Sequence, residues 1–405
     1  MLPRLHAEII EATGCSVVVR RIEGPAAKEL FILCQPAGHP TDASRQAEAI
    51  YRALERVLVA EGGGIEHLVS ETIFFRNLKT DIAAVRKARQ RVLDAIGSTP
   101  HRPALTEIEQ PPADRAAHLQ VSCHAVLPRN SPLRCDAIPA RPVCGCTECA
   151  GAHGLRIHLG EEVRFHAGAL CGSGADAYQQ TLAMFALAEN LLQQAGMAFH
   201  DVVRTWIHLR NIDRDYPALN QARREFFAAR GIDPVPASTG IGGAPVSAAH
   251  DLCLGLYAVK GGQAASRSVM TSPTLNEAMQ YGADFVRGMK TVETNRVALH
   301  VSGTASIDEY GRTVHIDDLA AQADRMLVNI AALLEGQGAT FGDVVSAITY
   351  VKHPGNAARL QQILQGAGFD GFPNAIVLAP ICRPELLCEI EALAVLPGTP
   401  VISGR

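Results

Sequence analysis

One pattern occurs three times along this 405-residue chain, and it restricts the fold more than any other feature. A helix-like segment ends in a glycine-rich turn, and an apolar strand follows it. The first copy reads ALERVLVAEGGG and then IEHLVSETIFFRNL, the second AENLLQQAGMA and then FHDVVRTWIHLRNI, the third IAALLEGQGAT and then FGDVVSAITYVKHP. Apolar columns align without gaps: Tyr51, Phe185 and Leu327; Val57, Leu191 and Leu333; Leu58, Leu192 and Leu334. Their spacing marks one buried helix face in each copy. Glycines at Gly62, Gly196 and Gly336 are expected to close the helices in a left-handed cap, and Asp176 and Asp318 are candidates to open theirs. A self-similar unit of this length means one supersecondary block used three times.

Each copy continues alike. A second helix is predicted over about 81–96, 216–230 and 356–366. A pair of strands then closes the unit, at 103–109 with 118–127, 236–242 with 251–260, and 373–381 with 386–395. Strands also open each unit, clearest in RVALHVSGTASI at 296–307. The order strands, helix, strand, helix, strands describes an α+β unit with one sheet and two helices on one face. The boundaries are 1–129, 156–262 and 263–405, with 130–155 left between the first two units.

That remaining stretch, within PRNSPLRCDAIPARPVCGCTECAGAHG at 128–154, has no periodicity and is read as an ordered loop insertion. Cys144, Cys146 and Cys149, with Cys135 upstream, are spaced to hold a structural zinc ion through thiolates; His153 or Cys123 would serve in place of Cys135. The plain alternative is a reduced loop without metal.

Composition excludes several classes. A net charge of −4 gives no bulk attraction for nucleic acid. No apolar run approaches the length that spans a bilayer, and the first residues lack the apolar core of a signal peptide. Eleven cysteines, an odd number set mostly in apolar strands, point to reduced thiols and a cytoplasmic protein.

The last strand carries the most unusual chemistry. In CEIEA, Glu389 and Glu391 are two residues apart and share one face of a strand, inside an otherwise apolar run. A strand end that meets water is the plain alternative.

The repeated unit resembles the RidA (YjgF) family through SGTAS at 302–306, DVV at Asp343 and EIEALA from Glu389. Members of that family are trimers with clefts between subunits. The resemblance implies that this chain folds as its own pseudo-trimer, a barrel with helices outside and three unequal clefts. The family's imine/enamine deaminases hold the substrate carboxylate with an arginine at the start of the penultimate strand. Here Leu105, Ser238 and Asn374 stand at those places. The acid that opens EIEA is matched only by Glu389, with Cys253 expected at its place in copy two and Val121 in copy one. Deamination is therefore not expected, and only the third copy is expected to be active.

That third copy is similar to the chorismatases, which share this fold and remove pyruvate from chorismate. The matching residues are Gln280–Gly282, Phe285, Arg287, SGTASI at 302–307, His315, Asp318, Gln322 and CRPELLCEIEA at 382–392. The resemblance implies that Glu389 is a catalytic acid. Tyr281, Arg287, Ser302, Gly303, Ala305, Cys382 and Arg383 are then the substrate-binding positions. An acid that protonates an enol-ether carbon must stay protonated near neutral pH, which burial in an apolar strand favours. Guanidinium forks suit the two carboxylates of chorismate. The chain departs from the chorismatases after Gly282, where the loop is shorter and a second family arginine is missing. A related small cyclic or aryl carboxylate is therefore an equal candidate. No catalytic cofactor is implied; the expected partner is a small carboxylate, and the expected assembly a monomeric pseudo-trimer or a higher homo-oligomer. Two other classes stay open: another RidA-type reaction at this cleft, and a non-catalytic metabolite binder.

Overall fold

The computed structural model describes residues 7–12, 14–38, 42–97, 103–129, 132–140, 152–261, 266–277 and 284–397. Among them are six α-helices and three sheets. Unit one contains β1 (Ala7–Ala12), β2 (Cys15–Glu23), β3 (Ala27–Pro36), α1 (Ala43–Ala60), β4 (Leu68–Phe75), α2 (Leu78–Ile96), β5 (Ala104–Glu109) and β6 (Leu119–Pro128). Unit two contains β7 (Arg134–Pro139), β8 (His153–Leu159), β9 (Glu162–Leu170), α3 (Ala177–Gln194), β10 (Val202–Leu209), α4 (Ile212–Arg230), β11 (Ala237–Gly242), β12 (Ala244–Pro245) and β13 (Leu252–Lys260). Unit three contains β14 (Arg267–Met270), β15 (Gly288–Val292), β16 (Arg296–Ala305), α5 (Leu319–Glu335), β17 (Val344–Val351), α6 (Ala357–Gly366), β18 (Asn374–Leu378) and β19 (Cys388–Pro397).

The strand order repeats: β1-β2-β3-β6-β4-β5, β7-β8-β9-β13-β10-β11 and β14-β15-β16-β19-β17-β18. In each unit the second helix is a crossover between two parallel strands, β4 to β5, β10 to β11 and β17 to β18, while the remaining pairs are antiparallel. Asp42, Asp176 and Asp318 open the three first helices, each accepting a hydrogen bond from the backbone N–H three residues on. The closing glycines correct one expectation. Gly62 and Gly196 take the left-handed conformation, but in unit three Gly336 stays helical and Gly338 takes it. The cap follows Leu58, Leu192 and Leu334 by four residues in every unit, so the helix face rather than the first glycine sets its place.

A second correction concerns 128–154. Residues 134–139, expected as loop, form β7, which pairs antiparallel with β8 along its whole length. β7 is thus the outer strand of unit two, equivalent to β1 and β14. Residues 141–151, including Cys144, Cys146 and Cys149, lie outside the described residues. Cys135 is a half-buried thiol of β7 whose pKa burial and the neighbouring Asp136 push up to about 11.

The units join at three seams. β12 belongs to unit two in sequence but pairs with β5 of unit one. Ala237 bridges to Val286 between units two and three, and Pro112 bridges to Val377 between units one and three. The sheets remain separate ladders rather than one continuous hydrogen-bonded barrel. Residues of all three line a common central chamber. Each unit has its own apolar core between sheet and helices, with Tyr51, Phe185 and Leu327 inside as their column required.

Candidate active site

A cavity of ≈ 500 Å³ lies between units two and three. Its floor is set by a bulge. The β16–β19 register shifts between Val301 and Thr304, which takes Ser302 and Gly303 out of that ladder. Their polar groups bind both to unit two and to the segment before β15. Ser302 Oγ donates to the Val286 carbonyl (2.6 Å) and accepts from the Ser238 N–H (2.9 Å), while the Gly303 N–H donates to Thr239 Oγ1 (3.0 Å). Ser302 is fully buried and acts as a clasp between units rather than as part of the cavity wall.

Gly303 leaves room for the acid. Glu389 pairs with Ala305 on one side and Tyr350 on the other, and its side chain lies over Gly303. A Cβ at Gly303 would fall 2.2 Å from Glu389 Oε1, so a side chain there would push this carboxyl out of its place. Glu389 is 4% exposed and lines the cavity, with no hydrogen-bond partner among the described residues. Burial, and then the charge of Glu391, push its pKa up to about 8, against the opposing pull of Arg204 and Arg287. At neutral pH this carboxyl is therefore mostly protonated and faces open space.

Arginines and apolar groups complete the wall of unit three. Arg287 is buried just before β15 and is held by Asn276, through the backbone carbonyl (2.8 Å) and the side-chain oxygen (3.0 Å). Phe285 lies between two guanidiniums, Arg287 at 5.8 Å and Arg223 at 5.5 Å from the ring centre. Arg383 and Cys382 enter from the β18–β19 loop, with Arg383 Nη1 donating to the Gly311 carbonyl (2.8 Å). Gln322 fixes that loop, donating to the Glu385 carbonyl (2.9 Å) and accepting from the Leu387 N–H (2.8 Å). Burial pushes the Cys382 thiol up to about 12, so it stays a thiol at neutral pH. Ala305 lines the floor, and Asp318 caps α5. Gln280, Tyr281 and Gly282 lie outside the described residues.

The facing wall comes from unit two and was not anticipated. Tyr216, Asn220, Gln221 and Arg224 of α4 and Thr239 of β11 line the cavity. Arg224 reaches across to Asp284 (3.2 Å). The signal was present in the sequence, since Tyr216, Asn220 and Arg224 recur every four residues on one helix face. That spacing alone does not say which unit the face packs against.

Glu391 has a different setting. It faces the central chamber and is held by Trp206 Nε1 (2.6 Å), Arg204 Nη2 (2.9 Å) and the Tyr350 hydroxyl (3.1 Å). Matching ladders fix which residues stand at the place of Glu389 elsewhere. Tyr350 pairs with Glu389, His208 with Cys253 and Phe74 with Gln120. Cys253 is as expected, whereas unit one presents Gln120 instead of Val121. Gln120 is buried and tied to Gln35 (2.9 Å) and to the Ile376 carbonyl (3.2 Å) across the seam with unit three.

Comparison with known proteins agrees with this geometry. The endoribonuclease L-PSP family model matches residues 159–252 and 277–396. A RutC family protein of Pyrococcus abyssi is 28% identical over 97 residues, which cover 24% of this chain and 76% of that protein. A chorismatase crystal structure superposes with a TM-score of 0.58 over 81% of this chain and 93% of its own, at 19% identity. A putative endoribonuclease L-PSP from Entamoeba histolytica covers 32% of this chain and 100% of its own, with a TM-score of 0.29 and 19% identity. The family match spans more than half of the residues, two of the three units, and it includes both walls of the cavity: this chain belongs to the endoribonuclease L-PSP (RidA) family.

Proposed function

We propose that the cleft between units two and three cleaves an enol ether on chorismate or a related small cyclic carboxylate and releases pyruvate, without a cofactor. The observation that carries this reading is Glu389, a carboxyl kept protonated near neutral pH in the wall of a cavity that arginines also line. Glu389 donates its proton to the terminal methylene carbon of the enolpyruvyl group, and the adjacent carbon becomes an oxocarbenium ion. Water adds there and returns a proton to Glu389. The resulting hemiketal collapses to the ring alcohol and pyruvate, so atoms and charge balance. Arg287 and Arg383 supply the guanidiniums that hold substrate carboxylates. The cavity volume lies within the range of about 300–1,000 Å³ usual for small-molecule sites.

The fold shared with a chorismatase over most of the chain supports this reading. The deaminase alternative lacks its carboxylate-binding arginine. Asn374 instead bonds Thr349 (2.9 Å), and Ser238 is occupied by Thr205 and Ser302. Incubation of the purified protein with chorismate and enzymatic assay of pyruvate tests the proposal. Pyruvate release that Glu389→Gln abolishes is expected. No release from chorismate or its dihydroxy analogues, with ammonia release from amino-acid-derived imines, would move the reaction to the other RidA class.

A further inference from the structure

The central chamber, ≈ 170 Å³ in volume, is built from side chains that the cleft does not use. At one level His124, His166, Tyr257 and His300 form a chain of rings, with centres 5.9, 4.7 and 5.5 Å apart in that order. Behind these rings, two residues earlier on β9 and within the same buried cluster, Arg164 is ion-paired to Glu29 (3.0 Å), Glu162 (2.7 Å) and Glu293 (3.1 Å). Arg296 pairs with Glu29 (2.7 Å) and Glu293 (3.0 Å). This charged layer is internally matched. The wall of the chamber is not.

Five buried polar atoms of chamber-lining residues have no hydrogen-bond partner among the described residues: His166 Nε2, Arg204 Nη1, His208 Nδ1, Tyr257 Oη and His300 Nε2. Buried polar atoms in folded proteins are nearly always paired, and here five on the residues around one space are left unsatisfied by the protein. All five can donate, and Arg204 Nη1 can do nothing else. Glu391, the one carboxylate among the described residues that line the chamber, already has both oxygens engaged, and no three His, Cys, Asp or Glu side chains among the described residues are grouped to hold a metal ion. An occupant with several acceptors can meet all five. Size bounds it as well, because a cavity of about 150 Å³ holds a molecule of benzene's size. Burial keeps the three unpartnered imidazoles neutral, so Arg204 is the one charged donor among the five, which suits a single negative charge better than two.

We propose that the chamber enclosed by the three sheets is a second ligand site, separate from the Glu389 cleft, that takes a small monocarboxylate on Arg204, Tyr257 and the imidazoles of His166, His208 and His300. The inference stands on the chamber alone and does not depend on the reaction in the cleft.

Tyr257→Phe is the most informative variant, since it removes a hydroxyl that has no protein partner and keeps the ring. Sodium pyruvate, with six heavy atoms, and sodium acetate are titrated calorimetrically into the full-length protein and into this variant, and a crystal is soaked in pyruvate. The expected result is pyruvate density between Arg204 and Tyr257, with affinity at least fivefold weaker in Tyr257→Phe. Without ligand, the variant should melt at or above the wild-type temperature. Only ordered water in the chamber, or pyruvate only in the cleft, would overturn the proposal. So would equal affinities in the two proteins. If Tyr257→Phe lowers the melting temperature without ligand, the hydroxyl has a protein partner and the argument from unpaired donors fails. Ser70→Leu, which fills the chamber from unit one, is the second check: it should abolish chamber density, and pyruvate retained there would overturn the assignment.

Discussion

Glu389 and Glu391 stand two residues apart on β19 and point into different cavities. Glu389 faces the cleft with no hydrogen-bond partner among the described residues, whereas Glu391 faces the chamber with three. The partition between them is the hydrogen bond from Arg204 to Thr239 (2.5 Å), Arg204 lining the chamber and Thr239 the cleft. One strand face thus leaves one carboxyl open to the cleft and ties the other to Arg204, Trp206 and Tyr350. Their replacements should differ accordingly.

Glu389→Gln keeps the shape and removes the transferable proton. Loss of general acid catalysis typically lowers the rate about 10²–10⁴-fold, and kcat for pyruvate release should fall in that range with KM little changed. Unchanged kcat would place the acid elsewhere.

The pH dependence follows from the raised pKa. The proposed reaction uses protonated Glu389, so its rate should fall as pH rises through about 8. Stability has a definite sign too. Between the unfolded carboxyl value, roughly 4.3, and about 8, the folded state holds a proton that the unfolded state has lost, so stability declines as pH rises across this window. The slope from this one group approaches about 1.4 kcal/mol per pH unit. Glu389→Gln removes that slope, and denaturant titrations of both proteins at pH 5 and pH 8 measure it. Parallel stability curves would contradict the assignment.

Glu391→Gln acts through its neighbour. It removes the negative charge that raises the Glu389 pKa and leaves Arg204 without its anion, and both changes lower that pKa. The alkaline limb of the rate profile should move to lower pH. Breaking a buried ion pair on one side typically costs about 3–5 kcal/mol, so a lower melting temperature should accompany the shift. An unmoved limb would show that the two carboxyls are not coupled.

Gly303→Ala tests the fit of the acid. Its Cβ would meet Glu389 Oε1 at 2.2 Å, forcing the carboxyl aside. Activity should drop at least tenfold, while Gly342→Ala, on a turn where a Cβ meets only Thr340 Oγ1 at 3.3 Å, should stay near wild type. Full activity in Gly303→Ala would mean that Glu389 is not held where the structure places it.

Arg383→Ala removes a half-buried guanidinium from the substrate side of the cavity. Charge-assisted hydrogen bonds contribute about 1.5–3 kcal/mol, so KM should rise roughly 10–100-fold with a smaller effect on kcat. An equal fall in kcat at constant KM would assign Arg383 to the reaction rather than to binding.

The threefold repeat, the unit order and the place of Glu389 were legible because they rest on periodicity, which one chain displays directly. Tyr51, Phe185 and Leu327 had to be inside, and they are. What stayed hidden needed two units at once. The separation of Glu389 from Glu391 depends on Arg204 and Thr239, which precede Glu389 by 185 and 150 positions. The cleft wall from α4 depends on packing across a seam, which no spacing within unit three could reveal. β7 was hidden because its partner strand lies beyond a Cys- and Pro-rich connection, and a six-residue edge strand leaves little alternation to read. The zinc reading of Cys144, Cys146 and Cys149 with Cys135 keeps its own test. One equivalent of zinc by elemental analysis, with destabilisation on chelation, is expected, and well below one equivalent would end it.

The matched ladders place Ser70, Arg204 and Ser346 at one equivalent position, each directly after the bulge that opens β4, β10 and β17 and opposite β6, β13 and β19. In an assembly of three identical subunits, an arginine there would occur in triplicate, and three like charges would crowd one axis. Joining the copies in a single polypeptide lifts that constraint. A lone cation can then stand off-axis beside a lone anion, Glu391, while its counterparts remain serines. The covalent link thus makes asymmetry accessible at the centre of a nearly symmetric molecule, and through Arg204 and Thr239 that asymmetry reaches the one cleft that carries an acid.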